Sequence, residues 1–250
     1  MKKILKKYIP KQDIKVSLFI VGAQKAGTSA LHDYLTKHPR ISGGYKKEIN
    51  FFNHPEKFEK GFKWYHQQFN RPLFYKKSNQ IYIDSTPQYL SNLDVAKKIY
   101  HYNQHANIVI LLREPVSRAY SAWNMYKQFS ELTQERKKAL IKMHIPKKQI
   151  SSFQKLINKN PFYTFEEYVN QELNNNRLIN FYPYIIKRGI YYDQVKAYYD
   201  NFKQEKIQIV ESDNFKSNKL NITNQIINKL NLNSLKLDED TLSDVHQRKY

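Results

Sequence analysis

Two hydrophobic patterns alternate along this chain: short continuous apolar runs, and longer stretches in which apolar residues recur every three or four positions. The apolar runs predict four strands, at 17–21, 81–84, 107–112 and 206–211. The run at 107–112 does not alternate with polar residues, as expected of a strand buried on both faces of a parallel sheet. The longer patterns predict six helices, at 28–37, 92–102, 115–129, 164–173, 190–202 and 222–230.

This order of strands and helices predicts right-handed crossovers and an α/β fold, with a mostly parallel central sheet flanked by helices in three layers. The stretch 130–160 is polar, rich in Lys and Gln and weakly patterned, so we predict an inserted helical arm or lid there. The chain has no internal repeat and no clear boundary. We therefore predict a single domain, 1–250.

A glycine-bounded basic loop follows the first predicted strand. The loop, GAQKAG at 22–27, has Lys25 near its centre, and a helical pattern begins at Thr28 and Ser29. Backbone N–H groups of such a loop, and those of the first helical turn, point toward an anion, and the helix dipole adds positive charge. An ordinary strand-to-helix turn has the same outline, so this loop alone is a moderate signal for phosphate binding.

The loop differs from the motif of nucleotide triphosphatases. That motif, G-x-x-x-x-G-K-[ST], places lysine directly after its second glycine. Here Thr28 occupies that position, and Lys25 precedes Gly27 by two residues. A lysine in the middle of the loop contacts a different part of the ligand, which disfavours a P-loop kinase or NTPase without removing it as an alternative.

A second candidate anchor follows the predicted strand at 107–112. Arg113 stands at the carboxyl end of that strand, Pro115 suits the first turn of a helix, and Ser117 and Ser121 are four residues apart. Arginine binds phosphate bidentately, and a hydroxyl on the next helix can assist. Ligands of open α/β sheets lie beyond the carboxyl ends of the strands, so we expect both anchors to converge there.

Together the two segments resemble the nucleotide-binding motifs of the sulfotransferase superfamily, a P-loop-like fold. Its members use 3′-phosphoadenosine 5′-phosphosulfate (PAPS) and release 3′-phosphoadenosine 5′-phosphate (PAP). QKAGTS resembles the 5′-phosphosulfate loop, and LREPVSRAYS resembles the 3′-phosphate motif. The resemblance implies the following cofactor-binding residues: Lys25, Ala26, Gly27, Thr28, Ser29, Arg113, Ser121, Tyr191 and Arg248.

Four further stretches resemble the heparan-sulfate N- and O-sulfotransferase-like group. They are KEINFF at 47–52, GFKWY at 61–65, DSTPQYL at 84–90 and RGIY at 188–191. Two features depart from that group. Ser85 stands where the group usually has an acceptor-side lysine. The chain also ends near the start of the group's basic nucleotide-covering loop, so we expect a short or truncated C-terminus.

Sulfuryl transfer needs a base for the acceptor proton and a cation beside the departing phosphate oxygen. We predict Lys25 as the cation and Glu48, at the acidic position of the KEINFF signature, as the general base. Lys47, His54 and Asp84 are candidate acceptor contacts, and His54 is a rival base. The alternatives are a solvated loop residue for Glu48 or His54, and a turn cap for Asp84.

Composition limits the partners and the compartment. With 42 Lys and Arg against 22 Asp and Glu, the net charge of +20 attracts polyanions, but the lysines are dispersed and predict no specific nucleic acid. The chain has no cysteine, no apolar run of membrane-spanning length and no apolar signal-peptide core. We predict a bacterial cytoplasmic protein that needs no metal. The aromatic residues at 51–52 and 64–65 could line the site or belong to the core.

The sequence therefore predicts a PAPS-dependent sulfotransferase that acts on a hydroxyl, less readily an amine, of a carbohydrate or small-metabolite acceptor. Two alternatives stay open: a P-loop nucleotide kinase or NTPase, and a catalytically silent polyanion-binding protein of the same fold. The sequence indicates no oligomeric state.

Overall fold

The computed structural model describes residues 14–69, 80–174 and 183–236. Within these ranges five parallel strands form one sheet in the order β2-β3-β1-β4-β5. The strands are β1 (Val16–Gly22), β2 (Ile41–Ser42), β3 (Ile81–Ser85), β4 (Asn107–Leu112) and β5 (Ile207–Glu211). Four of them coincide with the predicted strands. The edge strand β2 was not predicted, because two residues are too few to show a pattern.

Helices flank this sheet, and the predicted three-layer α/β fold is confirmed. Helix α1 packs against α11, and α4 packs against α9. The described α-helices are α1 (Thr28–Thr36), α2 (Pro55–Phe58), α3 (Gly61–His66), α4 (Leu93–Tyr102), α5 (Pro115–Ser130), α6 (Gln134–His144), α7 (Ile150–Ile157), α8 (Phe165–Asn174), α9 (Tyr192–Tyr199), α10 (Ser212–Ser217) and α11 (Lys219–Lys229). In the described part of the chain, none of these helices has the length and apolar character needed to cross a membrane.

The strand order creates a crevice at the carboxyl ends of β1 and β4. From β1 the chain crosses to β2, on the β3 side of the sheet, whereas from β4 it crosses to β5 on the other side. The connections therefore diverge between two neighbouring strands, and such a point leaves room for a ligand in open α/β sheets. The two loops predicted as phosphate anchors leave the sheet at this point.

The stretch predicted as a helical arm contains two helices, α6 and α7, and is packed against α5 and α8. Ile141, Phe153 and Ile157 form an apolar cluster with Tyr126 of α5 and Tyr168 of α8. This cluster is separate from the core around the sheet. The arm is therefore held by its own buried surface, and its function as a lid stays a prediction.

Candidate active site

The loop that follows β1 has the backbone geometry of an anion cradle. Lys25 has φ 71° and Gly27 has φ 98°, a left-handed conformation that glycine adopts without strain. Gly27 is also the residue before α1, and no side chain caps that helix. The first N–H groups of α1 are therefore left for a ligand or solvent, at the positive end of the helix dipole.

Arg113 joins this loop to the end of β4. Its Nη1 atom donates a hydrogen bond to the carbonyl oxygen of Lys25 over 3.1 Å. The hydroxyl of Tyr191 in turn donates to the carbonyl oxygen of Arg113 over 2.8 Å. Three of the predicted cofactor-binding residues thus lie together at the crevice between β1 and β4.

The remaining predicted cofactor-binding residues differ in accessibility. Gly27 is exposed and Ser29 is half-buried, whereas Ala26, Thr28 and Ser121 are buried. Ser117, which shares a helical face with Ser121 in the sequence pattern, is exposed instead. Arg248 lies outside the described residues.

The start of α5 is fixed by its own cap. The Glu114 carboxylate accepts hydrogen bonds from the N–H groups of Val116 (2.8 Å) and Ser117 (2.6 Å). These bonds lower the pKa of Glu114, because they stabilise its charged form. The cap holds the helix that carries Ser121 in place directly after Arg113.

Gln24, inside the basic loop, accepts two side-chain hydrogen bonds that the sequence did not predict. Its Oε1 atom accepts hydrogen bonds from Nη1 of Arg188 (2.9 Å) and from the hydroxyl of Tyr126 (3.3 Å). Because arginine only donates, this contact sets the orientation of the Gln24 amide. Arg188 opens the RGIY stretch and Gln24 opens the QKAGTS motif, so both lie in motifs that the sequence shows, whereas Tyr126 carried no such signal.

Arg188 is itself positioned by a buried carboxylate on α8. Glu172 accepts hydrogen bonds from the N–H groups of Ile185, Ile186 and Lys187 over 2.6–3.0 Å. These bonds hold the 3₁₀ turn Lys187–Gly189, which carries Arg188. Through Glu172 and Arg188, α8 is therefore connected to the basic loop by a series of hydrogen bonds.

Glu48 lies between a lysine and a histidine. One carboxylate oxygen, Oε1, is 3.2 Å from Nζ of Lys47, and the other, Oε2, is 3.8 Å from Nδ1 of His144. The Glu48 side chain is 29% exposed, so it is accessible to solvent. His144, the last residue of α6, was not predicted, because the arm sequence shows no motif around it.

Asp84 is buried within a hydrogen-bond network, and its predicted contact with an acceptor stays a prediction. It is 1% exposed, and its carboxylate accepts hydrogen bonds from the hydroxyls of Thr86 (2.7 Å), Tyr65 (2.8 Å) and Tyr89 (2.9 Å). Burial raises the pKa of Asp84, and these three hydrogen bonds oppose the shift. The carboxylate thus contacts the protein itself.

The Asp84 network supports the segment that carries Glu48. Thr86 Oγ1 accepts from the N–H of Asn50 over 3.4 Å, and the Tyr89 hydroxyl accepts from the N–H of Phe51 over 3.0 Å. The aromatic residues 51, 52 and 65 are fully buried around these hydroxyls, so they belong to the core. Of that predicted aromatic group, Trp64 alone is half-buried among the described residues.

The segment 84–90 also contacts the basic loop. The N–H of Leu90 donates to the carbonyl of Val21 over 2.7 Å. At Gly22 an added Cβ would lie 2.5 Å from Leu90 Cβ, so this close approach requires glycine. One continuous segment therefore connects the basic loop with the Glu48 segment.

Two histidines near the site, the buried His54 and the half-buried His32, are uncharged at neutral pH. His54 is 1% exposed, and burial lowers its pKa to about 4. His32 of α1 has Nδ1 2.7 Å from Oγ of Ser85, and burial lowers its pKa to about 4 as well. Of the two predicted bases, Glu48 is thus the more exposed. At Ser85 a histidine contact takes the place of the lysine that the heparan-sulfate group usually has.

Within residues 14–69, 80–174 and 183–236, no group of three or more acidic, histidine or cysteine side chains is arranged to hold a metal ion. Arg113 and Arg188 both contact the basic loop that carries Lys25, and Lys47 lies beside Glu48. The site is thus a basic crevice of an α/β sheet. Residues 84–90 link it to the segment that carries Glu48, and His144 of α6 lies beside that carboxylate.

The chain belongs to the sulfotransferase family, whose profile matches residues 17–159, more than half of its length. It is 36% identical over 102 residues to heparan sulfate glucosamine 3-O-sulfotransferase 5 from Mus musculus, a match that covers 41% of this chain and 28% of that protein. The chain thus spans less than a third of the length of this curated relative.

Two solved structures share the fold. A sulfotransferase from Alicyclobacillus acidocaldarius superposes with a TM-score of 0.66 and 24% identity, over 91% of this chain and 88% of that one. The mouse sulfotransferase SULT7A1, solved in complex with PAP, superposes with a TM-score of 0.52 and 12% identity, over 92% of this chain and 65% of that one.

Proposed function

We propose that this protein is a PAPS-dependent sulfotransferase that transfers a sulfuryl group to a hydroxyl, less readily an amine, of a carbohydrate or small-metabolite acceptor. The contact between Arg113 and the Lys25 carbonyl carries the proposal. A nucleotide with phosphate at both its 3′ and 5′ positions needs two anion sites at a fixed separation, and this contact holds the Arg113 guanidinium against the backbone of the loop that carries Lys25. The PAP complex of the mouse neighbour and the carbohydrate acceptor named for the curated relative support the proposal.

The cofactor-binding residues predicted from the sequence are proposed to hold such a nucleotide. Lys25 and the uncapped N–H groups at the start of α1 suit the 5′-phosphosulfate, with Ala26, Gly27, Thr28 and Ser29 forming the rest of that turn. On the 3′ side, Arg113 supplies a guanidinium, and Ser121, Tyr191 and Arg248 are the further proposed contacts.

When bound, PAPS supplies the activated sulfuryl group. Glu48 removes the proton of the acceptor hydroxyl as the new S–O bond forms. Lys25 stabilises the negative charge that develops on the departing 5′-phosphate oxygen. Lys47, which lies 3.2 Å from Glu48, is proposed to orient this carboxylate and to contact the acceptor. His54 stays a proposed contact for the sulfuryl acceptor, and this contact requires the buried ring to become accessible.

Calorimetry with PAP, ATP and an oligonucleotide tests the nucleotide assignment. We expect PAP to bind best, and we expect Lys25→Ala and Arg113→Ala each to weaken PAP binding about tenfold or more, since each removes a charge-assisted contact. Lys97→Ala, an exposed lysine of α4, is the matched control and should bind PAP like the wild type. Preference for ATP would favour a kinase or NTPase. Oligonucleotide binding with indifference to PAP would favour a silent polyanion-binding protein.

The acceptor is identified by incubating the protein with labelled PAPS and a panel of saccharides and small metabolites. Paired alcohol and amine versions of one acceptor distinguish O- from N-transfer. A single domain over 1–250, a bacterial origin and a cytoplasmic location stay predictions from the sequence.

A further inference from the structure

The middle of the arm, at residues 143–147, is attached to the segment that carries Glu48 and to α2. Nζ of Lys57, in α2, donates to the carbonyl oxygens of Ile49 (2.8 Å) and Met143 (3.2 Å). The N–H of Lys147 donates to Oε1 of Glu56 over 3.3 Å. These bonds hold the C-terminal end of α6 against α2 and the loop before it.

His144 therefore has a fixed place beside Glu48. Its Nδ1 atom is buried and has no hydrogen-bond partner within the described residues, and Glu48 Oε2 lies 3.8 Å away. The other oxygen of Glu48 is held by Lys47. A carboxylate with a partner on each oxygen keeps a defined plane, whereas a carboxylate held at one oxygen can rotate.

The charges around His144 come from each neighbouring segment. Lys46, Lys47 and Glu48 face it from the loop before α2, Lys57 faces it from α2, and the His54 ring lies beside it. Burial and the lysines lower the pKa of His144, and Glu48 opposes them. At neutral pH the ring is uncharged, so it can donate a hydrogen bond to Glu48 without neutralising the carboxylate.

We propose that His144 is a positioning residue of the active site, which orients the Glu48 carboxylate toward the acceptor, so that the arm supplies part of the catalytic centre. This rests on the proposed function, in which Glu48 is the general base. A shift of about 1 Å brings the Nδ1–H group within hydrogen-bond distance of Oε2. The imidazole acts through Glu48 and does not itself contact the acceptor.

Steady-state kinetics with PAPS and an accepted saccharide compare the wild type with His144→Ala, His144→Gln and His101→Ala. His101 is exposed on α4 and serves as the control. We expect His144→Ala to lower kcat about tenfold while PAP affinity stays that of the wild type. His144→Gln keeps an N–H donor and should recover part of the rate at neutral pH.

The pH profile separates positioning from a merely structural effect. In the wild type, protonation of His144 at low pH creates an imidazolium that pairs with Glu48 and lowers its basicity, so the rate falls. His144→Gln cannot make this change, and the acid limb of its kcat profile should move to lower pH. A kcat within twofold of the wild type and an unmoved acid limb in both variants would overturn the proposal, as would loss of PAP binding in His144→Ala.

A titration without substrate tests the pair independently of turnover. NMR of the His144 ring in the wild type and in Glu48→Gln should show a lower pKa in the variant, because the carboxylate that favours the charged ring is gone. An unchanged pKa overturns the pairing. If the wild type neither binds PAP nor transfers sulfate to any acceptor, the proposed function fails, and the titration still decides whether the two side chains interact.

Discussion

Glu48 and Asn50 both have left-handed backbone conformations, with φ of 63° and 58°. Asparagine tolerates this region, but for glutamate it costs on the order of 1 kcal/mol. Nδ2 of Asn50 donates to the carbonyl of Glu48 over 2.8 Å and so supports the turn. The KEINFF pattern predicted a functional carboxylate at 48. It could not show that the turn depends on tertiary hydrogen bonds from a segment more than 30 residues further along the chain.

Replacing Glu48 with Gln tests the base assignment. The amide keeps the size of the side chain but cannot take a proton, so we expect kcat to fall about 100-fold or more with PAP affinity unchanged. Transfer kinetics and calorimetry measure the two effects. Glu59→Gln, an exposed glutamate directly after α2, is the control and should keep wild-type rates. Wild-type turnover in Glu48→Gln would show that another group removes the proton.

Asp84 should affect stability more than nucleotide binding. Asp84→Ala leaves three buried hydroxyls without their acceptor, and we expect a loss of about 3 kcal/mol in the free energy of unfolding. Asp84→Asn keeps one acceptor oxygen and should cost less. Urea denaturation measures both variants. Equal stability of the alanine variant and the wild type would contradict the structural role.

The contribution of Asp84 to the free energy of unfolding should change with pH in one direction. Burial raises the pKa of folded Asp84 above its unfolded value of 3.8, so its contribution to stability is present below that value and is lost as pH rises through the folded pKa. The stability of the wild type relative to Asp84→Asn should therefore decrease with rising pH in this window. The opposite trend in urea midpoints would mean that the hydrogen bonds outweigh burial.

At the scale of elements, α8 acts on the basic loop through a series of contacts. Glu172 holds the 185–187 backbone, and Arg188 holds Gln24. Glu172→Gln replaces one acceptor oxygen with an amide donor, so at least one backbone N–H loses its partner. We expect a loss of about 2 kcal/mol in stability and weaker PAP binding, measured by denaturation and calorimetry.

The control for this prediction lies on the same helix. Glu166→Gln changes an exposed carboxylate in the first turn of α8 and should leave PAP binding unchanged. If Glu172→Gln binds PAP like the wild type, α8 contributes to the fold without positioning the loop.

The sequence predicted those elements whose hydrophobic pattern is long enough to show a period. Strands β1, β3, β4 and β5 and six of the helices were predicted in this way. Short elements such as β2, α2 and α3 were not, because four to six residues in a helix complete little more than one turn. The anchors Lys25 and Arg113 could be predicted from local motifs, whereas the contacts of His144, Glu172 and Gln24 depend on how distant segments pack.

At the scale of the whole molecule, the half-buried His32 and the buried His54 link stability to pH. Burial lowers the pKa of His32 and His54 from 6.5 to about 4. Their contribution to stability is therefore complete above pH 6.5 and is lost as pH falls toward 4. At the acid end of this window, the protonation of each histidine should lower the free energy of unfolding by on the order of 2–3 kcal/mol.

Urea denaturation near pH 7 and near pH 4.5 measures this loss, and we expect a lower midpoint at the acid pH. His54→Gln removes one of the two ionisations and should show a smaller difference between the two conditions. A midpoint that is the same at both pH values would contradict the prediction.

The arm and the sheet are stabilised by different sets of buried side chains. Exchange of residues 130–160 with the corresponding stretch of a relative would therefore leave the nucleotide anchors intact. Such a chimera would change the chemistry that surrounds the carboxylate at 48, including the histidine at its side. Acceptor preference in this protein could then be engineered, or have diversified during evolution, without any change in how the donor is held.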